Sequence, residues 1–587
     1  MQKKWLSLLA GSAALCAFFS FEEPEPAPLP EPEVVLASYP KDYFQSPVTS
    51  SIRLTGTFGE LRSDHFHSGI DIKSATGGVG QSVVAAADGF VDRIRVQASG
   101  YGNVLYIKHP NGYSTVYAHL LRFSPELDKY VRDNQYKRER FEIDLQPADG
   151  QFKVLKGQEI GKLGNSGGST GPHLHFEIRN TTNGKVLNPQ LFNLPIPDKV
   201  PPEIRDMKVY FLSENREVIT SKPLPLRRDK AGNAALEGDT VRFGAWRVGF
   251  GVKAYDHMSG FRNDNGIYAI SLYADGELAY EWRMGELDFD ETRYHNAHID
   301  YPAKKRFGAW FHRCFVLPGN RLNNYALTET LGAVTLYKDK PVKINLKVTD
   351  AGGNISTVNF WALRDEVMET TFLLPSQYDF NYQTENNIVQ EDFHLHVPQG
   401  ALYESLRFQY KTSPSDDEGQ YSPMHHLHDN RTPLHKYVEI GLKPHNLPEE
   451  LRSKAVIAFC GEGRPDNCGG EWSGGMLKTR VRNFGDYCIM ADTDPPRIIP
   501  VVFSDDMRKK SSMAFRIRDN FAVSGRADKM SFRGTVDGQW VLFEFDQKRE
   551  RLTHTFDGHI GAGKHILRLV VKDDRNNEAF FEGTFLK

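Results

Sequence analysis

Cysteine, net charge and long apolar runs are all scarce in this sequence. The 587 residues include 5 cysteines, and 72 Lys and Arg against 75 Asp and Glu leave a formal net charge of −3. Proteins that bind nucleic acid usually carry a clustered basic excess, so this balance argues against a nucleic-acid partner. Beyond the N-terminus no apolar run is long enough to cross a bilayer, and the mean hydropathy is −0.49. We therefore expect no integral membrane domain.

The chain nevertheless has ample material for hydrophobic cores. Hydrophobic residues make up 40% of it, including 37 Phe, 24 Tyr and 7 Trp, which excludes wholesale disorder. At roughly 150 residues per domain, the length predicts about four domains. Beyond residue 40, short Val, Ile, Tyr and Phe runs alternate with Asn-Gly, Asp-Gly and Gly-Gly. This pattern is typical of strands joined by tight turns, so we expect a mainly β protein.

The N-terminus has the layout of an export signal. Two lysines precede an apolar stretch that ends near Phe21. This predicts a signal peptide over residues 1–21 and a location in a periplasm or at a cell surface. An uncleaved anchor is the alternative. Lipid attachment at Cys16 is disfavoured because Leu15 precedes it, where lipoprotein signals need a small residue. Residues 22–40, rich in Pro and Glu, are expected to form an extended linker.

Four cysteines remain after Cys16 is set aside. Three of them lie close together in the sequence, so an exported chain could form a local disulfide there. A zinc knuckle is the alternative, although no Cys-x-x-Cys pair is present. The sequence does not choose a pairing among Cys314, Cys460, Cys468 and Cys488.

Two local elements are predicted in the N-terminal third. In NVLYIKHPNGYSTVYAHL, Asn111-Gly112 joins two alternating segments as in a tight hairpin. In its second arm, strand alternation places four side chains on one face: Tyr113, Thr115, Tyr117 and His119.

The other predicted element is a helix in SPELDKYVRDNQYKRER. Ser124 would cap it and Pro125 would occupy its first turn. The apolar spacing predicts a buried stripe made of Leu127, Tyr130 and Val131.

The middle and the end of the chain contain a repeat. PPEIRDMKVYF resembles PPRIIPVVF, YADGELAYEW resembles TVDGQWVLFEF, and INLKVTDAGGN resembles LRLVVKDDRNN, in the same order. We interpret this as two β-sandwich copies, at 198–365 and 492–587, with a β-rich domain at 366–491 between them. The first copy is enlarged between about 285 and 339. The expected role of these domains is spacing, or docking of an envelope protein partner.

The side chains that could bind a metal or take part in catalysis lie in the N-terminal third of the chain. They are His67, Asp71, His119, His173 and His175. Taken singly, each has an ordinary explanation, such as a chance pair or a half-buried histidine. In a strand, however, His173 and His175 would project from one face about 7 Å apart. Catalytic zinc takes three protein ligands and one water. His67, Asp71 and one of that pair could supply them, which leaves two histidines to orient water, hold an oxyanion and protonate a leaving amine.

Three segments that carry these residues, FHSGIDI, VYAHL and GPHLHFEI, resemble the signature segments of the LytM/lysostaphin family of zinc metallopeptidases. VVAAADGFV, SGYGNVLYIKH, KGQEIGKLGNSGGSTG and NPQLF resemble the same domain in the same order. The resemblance covers roughly residues 45–195, and the layout of the later domains resembles exported members in Bacteroidota.

The resemblance implies an antiparallel β metallopeptidase domain over 41–197, followed by about three β-sandwich (Ig-like) domains. It also implies one Zn²⁺ held by His67, Asp71 and His175, with His119 and His173 as the catalytic histidines. The implied substrates are the stem peptides or cross-bridges of peptidoglycan. Candidate residues lining the substrate groove are Asn165, Ser166 and Thr170.

Two features depart from the family pattern. Some members place a Tyr shortly before the first ligand to stabilise the oxyanion, but no Tyr lies between Gly56 and His67. The segment at about 122–150 is longer than the usual loop and contains the predicted helix. Our hypothesis is that this insert walls the groove and limits which cross-links enter. The alternative is a peripheral decoration that packs elsewhere.

The sequence therefore favours a secreted zinc endopeptidase that opens peptide cross-links of peptidoglycan. One alternative is a catalytically silent family member that acts as an envelope binding or activator module. In another alternative, the sandwiches carry the main function by docking a protein partner or an envelope polymer, and the peptidase domain contributes nothing to it.

Overall fold

The computed structural model describes residues 39–228, 233–326, 328–366, 375–414, 419–461, 463–524 and 530–587. The signal peptide and most of the linker predicted at 22–40 lie outside these ranges. Within them the chain is mostly β, with an N-terminal domain followed by several β-sheet domains, which confirms the expected fold class. No helix in the described part is both long and apolar enough to cross a membrane.

The N-terminal domain consists of two sheets and one long helix. Its helical elements are α1 (Pro125–Arg138) and a 3₁₀ turn, Pro189–Phe192. Its strands are β1 Leu54–Gly56, β2 Ile70–Lys73, β3 Ser82–Val84, β4 Gly89–Val96, β5 Val104–Lys108, β6 Tyr113–Ala118, β7 Leu120–Phe123, β8 Ile143–Leu145, β9 Lys153–Val154, β10 Glu159–Leu163, β11 His173–Asn180 and β12 Val186–Leu187.

The larger sheet of this domain has the order β1-β2-β11-β6-β5-β4-β8, and the smaller sheet has the order β3-β10-β7. All of these pairings are antiparallel. Ile70, Ile72, Leu174 and Phe176 are fully buried and pack into the domain core. The residues that alternate with them on β2 and β11 project to the opposite face, where the polar side chains collect.

The next domain is a sandwich of two sheets, β14-β13-β18-β22 and β17-β25-β24-β19-β20. Its helical elements are Thr292–Tyr294, α2 (His295–His298) and α3 (Tyr301–Phe307). Its strands are β13 Glu203–Leu212, β14 Val218–Leu224, β15 Leu226–Arg228, β16 Ala234–Leu236, β17 Thr240–Phe243, β18 Arg247–Tyr255, β19 Ala269–Ala274, β20 Glu277–Arg283, β21 Glu286–Leu287, β22 His312–Arg313, β23 Val334–Thr335, β24 Val342–Thr349 and β25 Ile355–Arg364.

The third domain contains the sheets β27-β28-β32-β36-β35 and β30-β31-β37-β33-β34-β40, a two-stranded pair β26-β29 and the 3₁₀ turn Glu449–Lys454. Strand β40 comes from the following segment, Ala522–Val523. The other strands are β26 Tyr378–Phe380, β27 Asn386–Val389, β28 Phe393–Val397, β29 Leu406–Phe408, β30 Tyr410–Ser413, β31 Met424–Leu427, β32 Pro433–Leu442, β33 Ala455–Phe459, β34 Asp466–Asn467, β35 Glu471–Ser473, β36 Met476–Asn483 and β37 Gly485–Ala491.

The last domain pairs the sheets β38-β39-β44-β43 and β42-β41-β45-β46 around its own core. A 3₁₀ turn, Gln547–Arg549, links two of its strands. Its strands are β38 Arg497–Val502, β39 Ser512–Arg518, β41 Ser531–Val536, β42 Gln539–Trp540, β43 Glu544–Asp546, β44 Arg551–Thr555, β45 Lys564–Lys572 and β46 Glu578–Leu586.

The repeated sequence segments occupy matching places in the two sandwiches. Asp275-Gly276 turns between β19 and β20, and Asp537-Gly538 turns between β41 and β42, with positive φ at all four residues. This conformation is the one that Asp-Gly hairpin turns require.

The hairpin and the helix predicted in the N-terminal third are present, with two corrections. Asn111-Gly112 joins β5 to β6, as expected. The prediction that His119 shares a face with Tyr113, Thr115 and Tyr117 is wrong. The φ of His119 is 58°, in the left-handed region, and this interrupts the strand alternation after β6. In α1, Ser124 holds the capping position without a side-chain hydrogen bond. Leu127 and Val131 are buried as predicted, together with Gln135, whereas Tyr130 of the predicted stripe is only half-buried.

The N-terminal domain and the first sandwich share one hydrophobic core. Phe58, Phe66 and Val186 pack in the same cluster as the sandwich residues Trp282 and Met284. Strand β12 also pairs with β21, so the sheet continues from one domain into the next. The two domains therefore stabilise each other.

The four cysteines among the described residues lie in the first sandwich and the third domain. Cys314 is fully buried. The Sγ atoms of Cys460 and Cys488 lie 3.4 Å apart, whereas Cys468 contacts Ser524. Proximity therefore favours Cys460 with Cys488 as the pair in the predicted local disulfide, because a disulfide needs closely spaced cysteines.

We predict that Phe66→Ala destabilises the chain by about 3–5 kcal/mol, because it leaves a cavity in the shared core. Phe307→Ala is the control, since Phe307 is 71% exposed and should change stability by less than about 0.5 kcal/mol. Thermal and denaturant unfolding of the two variants measures this. Equal unfolding midpoints would contradict a shared core.

Candidate metal centre

The pairing of β2 with β11 brings the predicted ligands together. Asp71 lies directly opposite His175 in the antiparallel register. Residues opposite each other in such a pair project to the same face, so a carboxylate and an imidazole meet there without further adjustment. His173 lies two residues before His175 on the same face of β11.

His67 completes the group from the loop before β2. Its Nε2 atom lies 3.0 Å from His175 Nδ1 and 3.1 Å from Asp71 Oδ1, and the latter two atoms are 3.0 Å apart. All three residues are buried. Ligands of a tetrahedral zinc ion with bonds of 2.0–2.2 Å lie about 3.3–3.6 Å apart. The observed triangle is within a few tenths of an ångström of this size.

Hydrogen bonds outside the triangle fix how the two imidazoles present their nitrogens. His67 Nδ1 lies 2.8 Å from the carbonyl oxygen of Thr57, and His175 Nε2 lies 2.9 Å from Glu177 Oε1. When each of these nitrogens donates its proton outward, the other nitrogen keeps a lone pair toward the centre of the triangle. Two imidazole nitrogens and one carboxylate oxygen are the donor set that zinc prefers, so the residues fit this metal.

Glu177 is a neighbour of the triangle that the sequence analysis missed. It is fully buried and accepts hydrogen bonds from Tyr101 at 2.5 Å, Ser68 at 2.8 Å and Arg179 at 2.7 Å. Burial alone would raise its pKa, but Arg179 and the hydrogen bond with His175 lower it. Its position two residues after His175 on one face of a strand is the sequence signal that could have identified it.

The carboxylates impose a strong preference for positive charge at this site. Burial raises the pKa of Asp71, but His67 and the hydrogen bonds with the other histidines outweigh it and hold the pKa well below its usual range. Burial lowers the pKa of His175, but Asp71 and Glu177 raise it to about 9. Arg62, also missed in the sequence, donates to Asp71 Oδ2 at 2.8 Å and leaves Oδ1 for the triangle.

His119 reaches the site because of its left-handed backbone. Tyr117, two residues earlier, faces the core, and strict alternation would have buried His119 beside it. Instead its ring lies 4.8 Å from that of His173 and 6.0 Å from that of His175. Its Nδ1 bonds to the carbonyl oxygen of Ser166 at 2.9 Å, which leaves Nε2 as the lone-pair nitrogen of the neutral ring. Burial and His173 lower its pKa to about 3.

His173 borders the triangle on the same side as His119. Its Nε2 lies 3.4 Å from Asp71 Oδ1, and its Nδ1 lies 2.9 Å from the carbonyl oxygen of Gly171 and 3.1 Å from Ser169 Oγ. The loop 164–172 therefore orients both histidines, one through Ser166 and the other through Ser169 and Gly171.

The candidate groove residues lie on this loop and have different surroundings. Ser166 Oγ accepts from the backbone of Asn103 and donates to Leu120, so its hydroxyl holds the loop in place. Thr170 is exposed. The amide oxygen of Asn165 is buried without a hydrogen-bond partner among the described residues.

The last sandwich contacts the same loop. Lys548 Nζ donates to the carbonyl oxygens of Asn165 and of Ser169, the latter at 2.9 Å. Lys548 lies in the turn Gln547–Arg549 of that sandwich. The loop that orients His119 and His173 is thus held from the last domain of the chain.

The insert at 122–150 joins the N-terminal domain to this sandwich. Leu127 and Val131 of α1 pack into the N-terminal core, and Tyr136 projects to the other side. The Tyr136 hydroxyl donates to Asp557 at 2.6 Å, and its ring stacks on His559 at 3.7 Å. A cavity of about 620 Å³, bordered by α1, the loop 164–172 and the sandwich, lies beside this contact.

Comparison with known families identifies two parts of the chain. Residues 65–136 and 144–189 match peptidase family M23, and residues 377–492 match the Zu5-like domain. The interruption at 137–143 falls inside the insert.

Curated relatives match the same N-terminal region. The chain is 34% identical over 151 residues to the DD-carboxypeptidase/endopeptidase Mpg of Neisseria meningitidis, which is 25% of this chain and 28% of the relative. It is 33% identical over 143 residues to the peptidoglycan DD-endopeptidase ShyC of Vibrio cholerae, covering 24% and 26%. It is 36% identical over 133 residues to the murein hydrolase activator NlpD of Escherichia coli, covering 23% and 27%. The match thus spans little more than a quarter of each relative.

A solved structure also matches this region. A catalytic-domain mutant of the prophage-encoded M23 protein EnpA from Enterococcus faecalis is 30% identical, with 26% of this chain and 95% of that chain covered and a TM-score of 0.18.

We predict that Glu177→Gln weakens zinc binding about 10- to 100-fold, because the neutral amide no longer holds His175 in the orientation described above. Competition with a chromophoric chelator measures the affinity. Glu159→Gln, at an exposed position on β10, is the matched control and should leave it unchanged. Equal zinc affinities for the two variants would show that Glu177 does not position the ligand.

Proposed function

We propose that this protein, whose N-terminal domain is a peptidase M23 domain, is a secreted zinc-dependent endopeptidase that hydrolyses peptide cross-links of bacterial peptidoglycan. The observation that carries the proposal is the triangle of His67, Asp71 and His175 with two further histidines beside it. Three protein ligands leave one coordination position for water, which is the arrangement of catalytic rather than structural zinc.

In this proposal His67, Asp71 and His175 hold one Zn²⁺. When bound, zinc lowers the pKa of a coordinated water and polarises the scissile carbonyl. Glu177 and Arg62 position two of the ligands, and the burial of the site excludes bulk water, which strengthens every charge interaction in it.

His119 and His173 act next to the ligands. The outward hydrogen bonds of their Nδ1 atoms leave Nε2 of each ring for the reaction. A neutral imidazole can accept the proton of the attacking water, and a protonated one can stabilise the oxyanion and protonate the leaving amine. The proposal assigns the base and the stabiliser to the two rings jointly.

The proposed substrate and location follow from the relatives. Mpg and ShyC are named as endopeptidases, the latter of peptidoglycan, and such a substrate lies outside the cytoplasm. The predicted signal peptide agrees with this location.

A catalytically silent activator is the second candidate, and the relative NlpD, named as a murein hydrolase activator, is the observation that favours it. Against it, all five predicted metal and catalytic positions are present here and meet at one site. A protein partner of the sandwich domains remains a prediction under either candidate.

We predict that His67→Ala and Asp71→Ala lose bound zinc, whereas His119→Ala and His173→Ala retain it and lose turnover by about 10²- to 10⁴-fold, the usual contribution of a general acid or base. Metal analysis and cleavage of a cross-linked muropeptide dimer, followed by mass spectrometry, test this. His65→Ala is the control, because His65 is exposed and pairs with Asp64.

Two results would contradict these assignments. If the zinc-loaded wild-type chain leaves the dimer uncleaved, the protein is an activator and not an endopeptidase. Loss of zinc in His173→Ala but not in His175→Ala would reverse the roles within that pair.

We predict that Lys548→Ala lowers turnover several-fold without changing zinc content, because the loop that orients His119 and His173 loses its contact with the last sandwich. Lys564→Ala, at an exposed position of the same sandwich, is the control. Steady-state cleavage of the dimer measures the effect. Faster turnover in Lys548→Ala would instead show that the sandwich obstructs the groove.

A further inference from the structure

Each sandwich copy contains a compact cluster of three carboxylates that the proposed peptidase activity does not use. Within a cluster, one oxygen from each residue lies within 4.8 Å of the other two. Neither cluster includes a histidine or a cysteine. The first consists of Asp198, Asp256 and Asp350, and the second of Asp492, Asp519 and Asp573.

The two clusters occupy the same places in the repeat. Asp198 and Asp492 each lie three residues before a Pro-Pro pair in the segment that leads into a sandwich. The second aspartates directly follow β18 and β39, and the third directly follow β24 and β45. The two copies differ at most other positions. The presence of aspartate at all three equivalent positions therefore indicates that the three residues act together in each copy.

Protein groups satisfy only part of the hydrogen-bonding and charge requirements of these carboxylates. Asp256 is 2% exposed and Asp492 is 0% exposed, yet Asp256 Oδ1 and Asp492 Oδ2 have no hydrogen-bond partner in the described structure. Among the described residues, no Lys or Arg forms a salt bridge with any of the six carboxylates. Buried like charges without a counter-ion are costly.

A neighbouring amide is unsatisfied as well. Asn265 pairs with Asp256 through two backbone hydrogen bonds of 2.9 Å, so the two side chains project to the same face. Asn265 is fully buried, and neither Oδ1 nor Nδ2 has a partner in the described residues. Burial and the neighbouring aspartates raise the pKa of Asp256 to about 8, as expected when no cation is near.

The third aspartate of each cluster is held in a fixed orientation. Asp350 Oδ1 accepts from the backbone of Asn354 at 2.9 Å, and Asp573 Oδ1 accepts from that of Asn577 at 2.8 Å. The amide groups of the same asparagines donate to the Oδ2 atoms at 2.8 and 2.7 Å. The carboxylates are therefore oriented in the same way in both copies before any ion binds.

We propose that each cluster is a Ca²⁺ site, so that the chain binds one calcium ion in each sandwich copy. Calcium is a hard cation that takes oxygen ligands at 2.3–2.6 Å, so two of its ligands can lie up to about 5 Å apart, as these carboxylates do. Zinc would favour histidine or cysteine. Magnesium usually keeps several waters, which suits the buried Asp256 and Asp492 less well.

The ions would fix the junctions between domains. Asp198 lies in the connection from the peptidase domain to the first sandwich, and Asp492 lies in the connection from the third domain to the last sandwich. An ion that joins each of them to two loops of its sandwich removes freedom from the connection. The second ion thereby also orders the sandwich that carries Lys548.

Calcium binding to the full chain tests the proposal. The chain is freed of metal, loaded with one equivalent of zinc to fill the peptidase site, and titrated with Ca²⁺ or Mg²⁺ by calorimetry. We expect two calcium ions per chain, a rise in the unfolding temperature with Ca²⁺, and little response to Mg²⁺. Asp256→Asn and Asp519→Asn should each remove one ion, and Asp239→Asn, at an exposed position, should remove none.

Unfolding in chelator separates an ion site from a purely structural cluster. Asp256→Asn replaces one carboxyl of the cluster with a neutral amide of the same size, so the ion-free variant should unfold at the same or a higher temperature than ion-free wild type. It should also lose part of the stabilisation by calcium. Failure of wild type to bind calcium, binding of magnesium alone, or unchanged stoichiometry in both variants would overturn the proposal.

Discussion

The antiparallel pairing of β2 with β11 is the constraint on which the rest of the site depends. It places Asp71 opposite His175, and it is fixed by the apolar residues that alternate with them, Ile70 and Leu174 among them, which fill the core on the other face. A slip of one residue would exchange the two faces of a strand, which would place the candidate ligands in the apolar core and the core residues on the polar face. The hydrophobic pattern therefore sets the geometry of the candidate metal centre.

Two of the domains after the peptidase domain contact segments that border the candidate metal centre. Trp282 of the first sandwich lies in the same core cluster as Phe66, the neighbour of His67, and strand β21 of that sandwich pairs with β12. The last sandwich contacts the N-terminal domain at two places. Lys548 donates hydrogen bonds to the loop 164–172, and Asp557 accepts one from Tyr136 of the insert. This arrangement disfavours the idea that either part is a passenger. The helix of the insert contacts the last sandwich through Tyr136 and also borders the cavity beside the loop 164–172, so the two interpretations of the insert, a wall of the groove or a peripheral decoration, both stay predictions.

Much of this could be predicted from the sequence, and the failures have physical causes. Strand alternation and the Asn111-Gly112 turn predicted the hairpin. The residue types indicated His67, Asp71 and one of the pair His173 and His175 as ligands, and the resemblance to the LytM/lysostaphin family pointed to His175. Alternation could not predict the left-handed backbone of His119, which turns its side chain toward the candidate site. That conformation depends on the distant loop 164–172, whose Ser166 carbonyl accepts the hydrogen bond of His119. Glu177 and Arg62 were missed because their importance comes from partners distant in sequence. The contact of Lys548 with a loop in the first domain is beyond any local pattern.

The central claim is that two imidazoles and one carboxylate hold a zinc ion with one position left for solvent. X-ray absorption spectroscopy at the zinc edge of the loaded full chain tests it most directly. The account predicts a four-coordinate ion with only nitrogen and oxygen neighbours at about 2.0–2.2 Å and the scattering pattern of two imidazoles. A sulfur neighbour, a hexa-aqua-like ion or fewer than two imidazoles would contradict it.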